Sequence, residues 1–216
     1  KVNNQNLTNQ NWLKTKLTLI MELTQGTMSL RKMCDNVVSQ LCQILEAGHG
    51  VVYINQNDEE LELLGSYAFT KRKNVSGVIK FGEGLVGQCA IEEKLIVLTQ
   101  VPADYIQISS SLGELEPYSI TVVPILFEKS LIGVIEIASF KEFTPMQQEL
   151  LEQLTSSLGI VINNINSATK TKVLLEETQR QSEELQSQQE ELRATNENLE
   201  EQTFQLKKSE NILKDQ

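Results

Sequence analysis

Leucine recurs at positions 185, 192, 199, 206 and 213, an unbroken spacing of seven, in a stretch without glycine or proline. A seven-residue repeat with polar residues between fits a helix that pairs along one narrow stripe. Glu183-Glu184-Leu185, Glu190-Glu191-Leu192 and Glu197-Asn198-Leu199 repeat the same unit. With the leucines at heptad position d, the a positions are Ser182, Gln189, Asn196, Thr203 and Glu210, all polar. Leucine on one layer only makes a weak seam, in which Asn196 favours an in-register parallel pair. The spacing predicts a parallel homodimer held by Leu185, Leu192, Asn196, Leu199, Leu206 and Leu213. The alternative is a frayed tail, because so polar a helix is marginal alone in water.

All 11 glycines and all 4 prolines lie before residue 168, so only that part can build a turning fold. Three regions are expected: 1–26, an N-terminal helix; 27–167, a folded domain; and 168–216, the coiled coil. Leu13, Leu17 and Ile20 give the first helix one apolar face, and Leu30, Met33, Val37, Leu41 and Ile44 do the same for a second. Strands are expected at 51–54, 61–69, 78–81 and 95–99, with a short helix at 85–93 and a long loop from 100 to 117. Strands at 120–127 and 131–139 form a hairpin around Glu128-Lys129-Ser130. Thr144-Pro145-Met146-Gln147 then reads as a capping box with proline at the first helical position. In the helix it opens, Leu154, Leu158, Val161, Ile165, Ala168 and Leu175 form a stripe. Taking Leu175 as d puts the next d positions at 182 and 189, three residues out of phase with Leu185 and Leu192. That offset predicts a stammer in 176–184, an overwound segment able to adopt two packings.

Composition removes several classes of function. Lys plus Arg is 19 against 29 Asp plus Glu, a net charge of −10, which repels nucleic-acid backbones and anionic lipid. No apolar run approaches the roughly 20 residues of a spanning helix. No nucleic acid and no direct membrane contact are therefore expected. The chain starts at Lys1 without a signal-peptide core, and reads as a segment of a longer polypeptide. Cys34, Cys42 and Cys89 are neither a disulfide framework nor a zinc pattern, and suit a reducing compartment.

The order of elements, with Phe81-Gly82-Glu83-Gly84-Leu85-Val86-Gly87-Gln88, Val123-Pro124-Ile125, Ile132-Gly133-Val134-Ile135-Glu136 and Phe143-Thr144-Pro145, resembles the GAF domain over roughly 27–167. The resemblance implies an α+β, PAS-like fold: an antiparallel sheet flanked by helices, here followed by the long coiled-coil helix. Asn11-Trp12-Leu13-Lys14-Thr15 is similar to the segment after a HAMP linker. Val101-Pro102-Ala103-Asp104-Tyr105, Ser111-Leu112-Gly113-Glu114, Glu176-Glu177-Thr178-Gln179-Arg180-Gln181 and Glu201-Gln202-Thr203 are similar to segments of bacterial hybrid histidine kinases. That narrower resemblance implies a cytoplasmic sensory and relay module whose kinase core lies in cis beyond Gln216, in a parent anchored in the bacterial inner membrane.

Gly82-x-Gly84-x-x-Gly87 satisfies the dinucleotide fingerprint in letters. The helix after it is too short for a parallel crossover and no acid tips the next strand, so it reads as a turn. In the GAF proteins that reduce free methionine sulfoxide, a loop cysteine stands where this chain has Val86, and 108–112 offers serines only. Such a small enzyme is one alternative function, and a ligand-free dimerising spacer is another. His49 with two helical cysteines falls short of a structural zinc set. The chain also lacks the ATP boxes and phosphoacceptor motif of a kinase, the Asn-Lys-x-x-Phe pattern of cyclic-nucleotide GAF domains and the Cys-His pair that holds a linear tetrapyrrole. No catalytic residue, metal or cofactor is expected; a small molecule of unknown identity is. Its expected pocket has Tyr105, Ile108, Ser110, Ser111 and Leu112 covering a floor of Val97, Thr121, Val123 and Glu136, unless the loop packs shut on the sheet.

Overall fold

A computed structural model describes residues 2–26, 29–68, 77–101, 108–110 and 113–214, with backbone only at 2–6, 109–110, 113–114 and 209–214. Its contacts divide into two units, Lys1–Ile165 and Asn166–Gln216.

The first unit opens with α1 (Val2–Glu22) and α2 (Leu30–Leu45). Ser29 caps α2 by accepting a hydrogen bond from the Lys32 amide at 3.4 Å, and Glu46 closes it in the left-handed region. Strands β1 (His49–Asn55), β2 (Glu60–Tyr67), β3 (Val78–Lys80), β4 (Ile96–Thr99), β7 (Ser119–Phe127) and β8 (Ser130–Ser139) form one sheet in the order β3-β2-β1-β8-β7-β4. All its pairings are antiparallel, the fold class expected. Between β3 and β4 lies α3 (Gly84–Glu92). The loop expected at 100–117 contains a two-stranded hairpin, β5 (Ile108–Ser110) with β6 (Gly113–Leu115), too short to give an alternation signal.

Both faces of the sheet are covered. On one, Val52, Ile54, Leu64, Val123, Ile125, Ile135 and Ile137 pack with α1, α2 and the first turns of α4 (Pro145–Lys214). On the other, Val51, Tyr53, Leu61, Ile120, Val122, Val134 and Ala138 pack with Val86, Cys89 and Ala90 of α3. Helix α2 lies against β1 and β2 so closely that a Cβ on Gly50 would sit 2.9 Å from Val38 Cγ2, and one on Gly65 2.6 Å from the Cys34 carbonyl carbon. Cys34 and Cys42 are thus small residues at a helix–sheet contact.

A short connector, 140–144, joins β8 to α4. Ser119 Oγ donates to the Lys141 carbonyl at 2.7 Å, Ser139 Oγ accepts from the Lys141 amide at 3.2 Å, and Phe143 enters the core. The capping box forms: the Thr144 amide donates to Gln147 Oε1 at 2.9 Å, and the Gln147 amide donates to Thr144 Oγ1 at 3.3 Å. Leu154 and Leu158 belong to this unit's core, and half-buried Val161 and Ile165 pack against it. Packing of α4 on its own domain is therefore enough to account for their spacing.

The second unit is the rest of α4. Leu185, Leu192, Leu199 and Leu206 are 54–71% exposed there. Among the described residues no helix is long and apolar enough to cross a membrane.

Candidate functional site

Register decides which residues share a face. Val122 of β7 stands opposite Glu136 of β8, and Val51 of β1 stands opposite Glu136 from the other side. Side chains directly opposite project to the same face. Glu136 therefore lies at the centre of the α3 face, between Val51 and Val122. Thr121 is opposite Ile137 and also opposite Val97. These three, with Val123, point to the other face, where Ile137 and Val123 join the core under the helices.

The expected floor is thus split. Glu136 lies on the α3 face and half-buried Ile108 packs into the same cluster. Val97, Thr121 and Val123 face away from them. Thr121 is fully buried and its hydroxyl has no hydrogen-bond partner among the described residues, so it is a cost to the helix-side core and not a pocket group. Tyr105, Ser111 and Leu112 lie outside the described residues, as does the side chain of Ser110.

Two residues that the sequence reading missed join Glu136. In β1, His49, Val51 and Tyr53 alternate onto the α3 face. Tyr53 is buried, and burial first and the Glu136 carboxyl second push its hydroxyl up to about 12. His49 is buried with Nδ1 at 3.4 Å from the Ala68 carbonyl oxygen, and burial lowers its pKa. The signal available in sequence was the row 49, 51, 53, one polar or amphipathic residue on each side of a valine.

Glu136 keeps some accessible surface, yet its carboxyl lies deep, and burial pushes it up to about 7. Among the described residues none forms a hydrogen bond or ion pair with it. Such a carboxyl carries its proton near neutrality and offers a donor, or gives the proton up and offers an acceptor to a bound cation. The thiols offer no such chemistry. Burial pushes Cys34, Cys42 and Cys89 each up to about 12, and Cys89 Sγ donates to the Lys94 carbonyl at 3.2 Å. Among the described residues no three His, Cys, Asp or Glu side chains gather as metal ligands.

The glycine motif is a turn. Gly82 and Gly84 have φ of 82° and 64°, and a Cβ on Gly87 would lie 2.8 Å from the Gly82 nitrogen. It joins antiparallel strands and not a parallel crossover.

The family model for the GAF domain matches residues 27–163. The chain belongs to the GAF domain family. No curated protein sequence matches this GAF chain. Solved GAF structures do. The GAF domain from a phosphoenolpyruvate-protein phosphotransferase of Coxiella burnetii is 21% identical with a TM-score of 0.61, covering 73% of this chain and 96% of that one. The nlh2 GAF domain of A. aeolicus in an inactive state is 20% identical with a TM-score of 0.57, covering 72% and 98%. The free methionine-R-sulfoxide reductase of Neisseria meningitidis, in complex with its substrate, is 20% identical with a TM-score of 0.55, covering 74% and 91%. At these identities the likeness is one of fold.

Proposed function

We propose that this GAF chain is a cytoplasmic sensory and relay module of a hybrid histidine kinase. It holds a small molecule on the α3 face, dimerises in parallel through α4, and biases a kinase core that follows it in the parent. The observation that carries the reading is Glu136, a deep carboxyl without a partner among the described residues, at the centre of a sheet face lined by Val51, Tyr53 and Val122. A group so costly to bury is supported best by a ligand that completes it. The exposed leucine stripe supports the dimer, and the kinase-like segments quoted above support the output.

The reductase alternative has fold likeness in its favour. Against it stand three buried thiols held far above the pKa of a nucleophile, so this reading assigns no catalysis to the chain.

The test is a thermal-shift screen of small polar metabolites, followed by Glu136→Gln. A ligand at a hundred times its Kd should stabilise the chain by about 2.7 kcal/mol, and the substitution should abolish the shift. The same compound should change autophosphorylation of a histidine-kinase core fused after Gln216. Hits that bind equally well without the Glu136 carboxyl would refute the site, and a fusion indifferent to a bound hit would refute the relay.

A further inference from the structure

The second unit exposes a helix face, and three sets of observations bear on what covers it. The first is charge. In the register with Leu185 at d, Glu176, Glu183, Glu190 and Glu197 fall at b, and Glu177, Glu184 and Glu191 at c. These seven acids lie off the seam, and Glu210, at a, is the one acid on it. Across a parallel pair, the flanking g and e positions bring together Gln181 with Gln186, Gln188 with Arg193, Thr195 with Glu200 and Gln202 with Lys207. No like charges meet at these flanking positions, so two copies can pair there without repulsion.

The second is hydroxyl satisfaction. Thr171 Oγ1 donates to the Ser167 carbonyl at 2.9 Å, Thr178 Oγ1 to Leu174 at 2.8 Å and Thr203 Oγ1 to Leu199 at 2.7 Å. In one uninterrupted register these are d, d and a. Each hydroxyl is already bonded within its own helix, so a partner can cover it without orphaning a polar group.

The third is phase. Lys172–Glu176 at 3.9 Å, Gln179–Glu183 at 3.0 Å and Arg193–Glu197 at 3.1 Å are all e-to-b pairs in that register. The flanking face keeps one heptad phase through 176–184. The stammer register would instead place Lys172 at a, inside the seam.

We propose that a second copy of this chain covers α4 in one continuous parallel heptad register, with Ala168 and Leu175 at a, Thr171 and Thr178 at d, and no phase shift before Leu185. Leu175, 69% exposed, is then the apolar layer upstream of Leu185. Thr178 and Ser182 form two successive polar layers between them. The weak point of the relay is a polar step in a constant register, not a choice between two registers. The inference rests on the dimer of the proposed function, and its failure is separable from that of the dimer.

The experiment is disulfide trapping in the whole chain, with single cysteines at Thr171, Lys172, Gln188 and Gln189. The native thiols are buried, so the parent chain serves as the blank. Thr171→Cys and Gln189→Cys should cross-link at least tenfold faster than Lys172→Cys and Gln188→Cys. Faster trapping at 172 than at 171, with 189 still fast, would overturn the continuous register and leave the dimer standing. Faster trapping at 188 than at 189 would overturn the placement of the leucines at d. No trapping at any position, with a monomer by sedimentation, would overturn the dimer itself and this inference with it.

Discussion

The two units use the same residue in opposite ways. In Lys1–Ile165, Leu41, Leu150, Leu151 and Leu154 are fully buried, whereas in Asn166–Gln216 Leu185, Leu192, Leu199 and Leu206 are mostly exposed. The first unit builds a core within one chain, on both faces of a sheet. From Leu185 on, the second carries a leucine once per heptad with polar residues at a, enough to mark a stripe and too few to bury anything alone. Stability should therefore be intrinsic in the first unit and depend on concentration in the second.

The strongest way to break this contrast is a matched pair of truncations. Leu154→Ala should cost the domain roughly 3 kcal/mol, read as a lower urea midpoint at every protein concentration. Leu199→Ala should leave that midpoint unchanged and raise the dimer dissociation constant about tenfold, a loss of roughly 1.4 kcal/mol. A domain midpoint that moves equally in both variants would erase the distinction.

Glu136 sharpens it from inside the domain. Its folded pKa is raised, so the folded state binds more protons than the unfolded state from about pH 4.5 to about 7. Stability contributed by this group therefore falls as pH rises through that window. Glu136→Gln should match the parent at pH 4 and exceed it at pH 8 by about 3 kcal/mol. Tyr53 of β1 and Cys89 of α3 face the same side but, pushed up to about 12, stay protonated across this range, and His49 of β1 is present in both proteins. Equal melting temperatures at pH 8 would mean that Glu136 has a partner in solution.

A smaller effect separates the start of α4 from its continuation. Thr144→Ala removes a formed capping box and should cost about 1 kcal/mol. Arg193→Ala removes an exposed pair, Arg193–Glu197 at 3.1 Å, and should change helicity by less than about 0.5 kcal/mol, fading with salt. Circular dichroism at two ionic strengths distinguishes them.

The fold was legible because its punctuation is local: Gly82, Gly84 and the Thr144 box each act within a few residues. The candidate site was only partly legible. Strand β7 is buried on both faces, so it reads as a continuous apolar run without alternation to say which side is which. Counting back from the turn, Phe127 opposite Ser130 would bring Thr121 opposite Glu136. The sheet contains a bulge between Ile125 and Leu126, and that single extra residue puts Val122 there instead. The expected floor was wrong by one position, which on a strand is the wrong side of the protein. The stripe at 154–165 is ambiguous for another reason: a heptad-like spacing is the same whether a helix packs on its own sheet or on another chain.

The connector between β8 and α4 has a mechanical meaning. Pro145 follows Glu136 by nine residues, and no glycine occurs between Gly133 and Gly159. Lys141 is pinned on both its amide and its carbonyl, and Phe143 is anchored in the core. The path from Glu136 to the exit helix is therefore short, free of glycine, and tied to the sheet at Lys141 and to the core at Phe143.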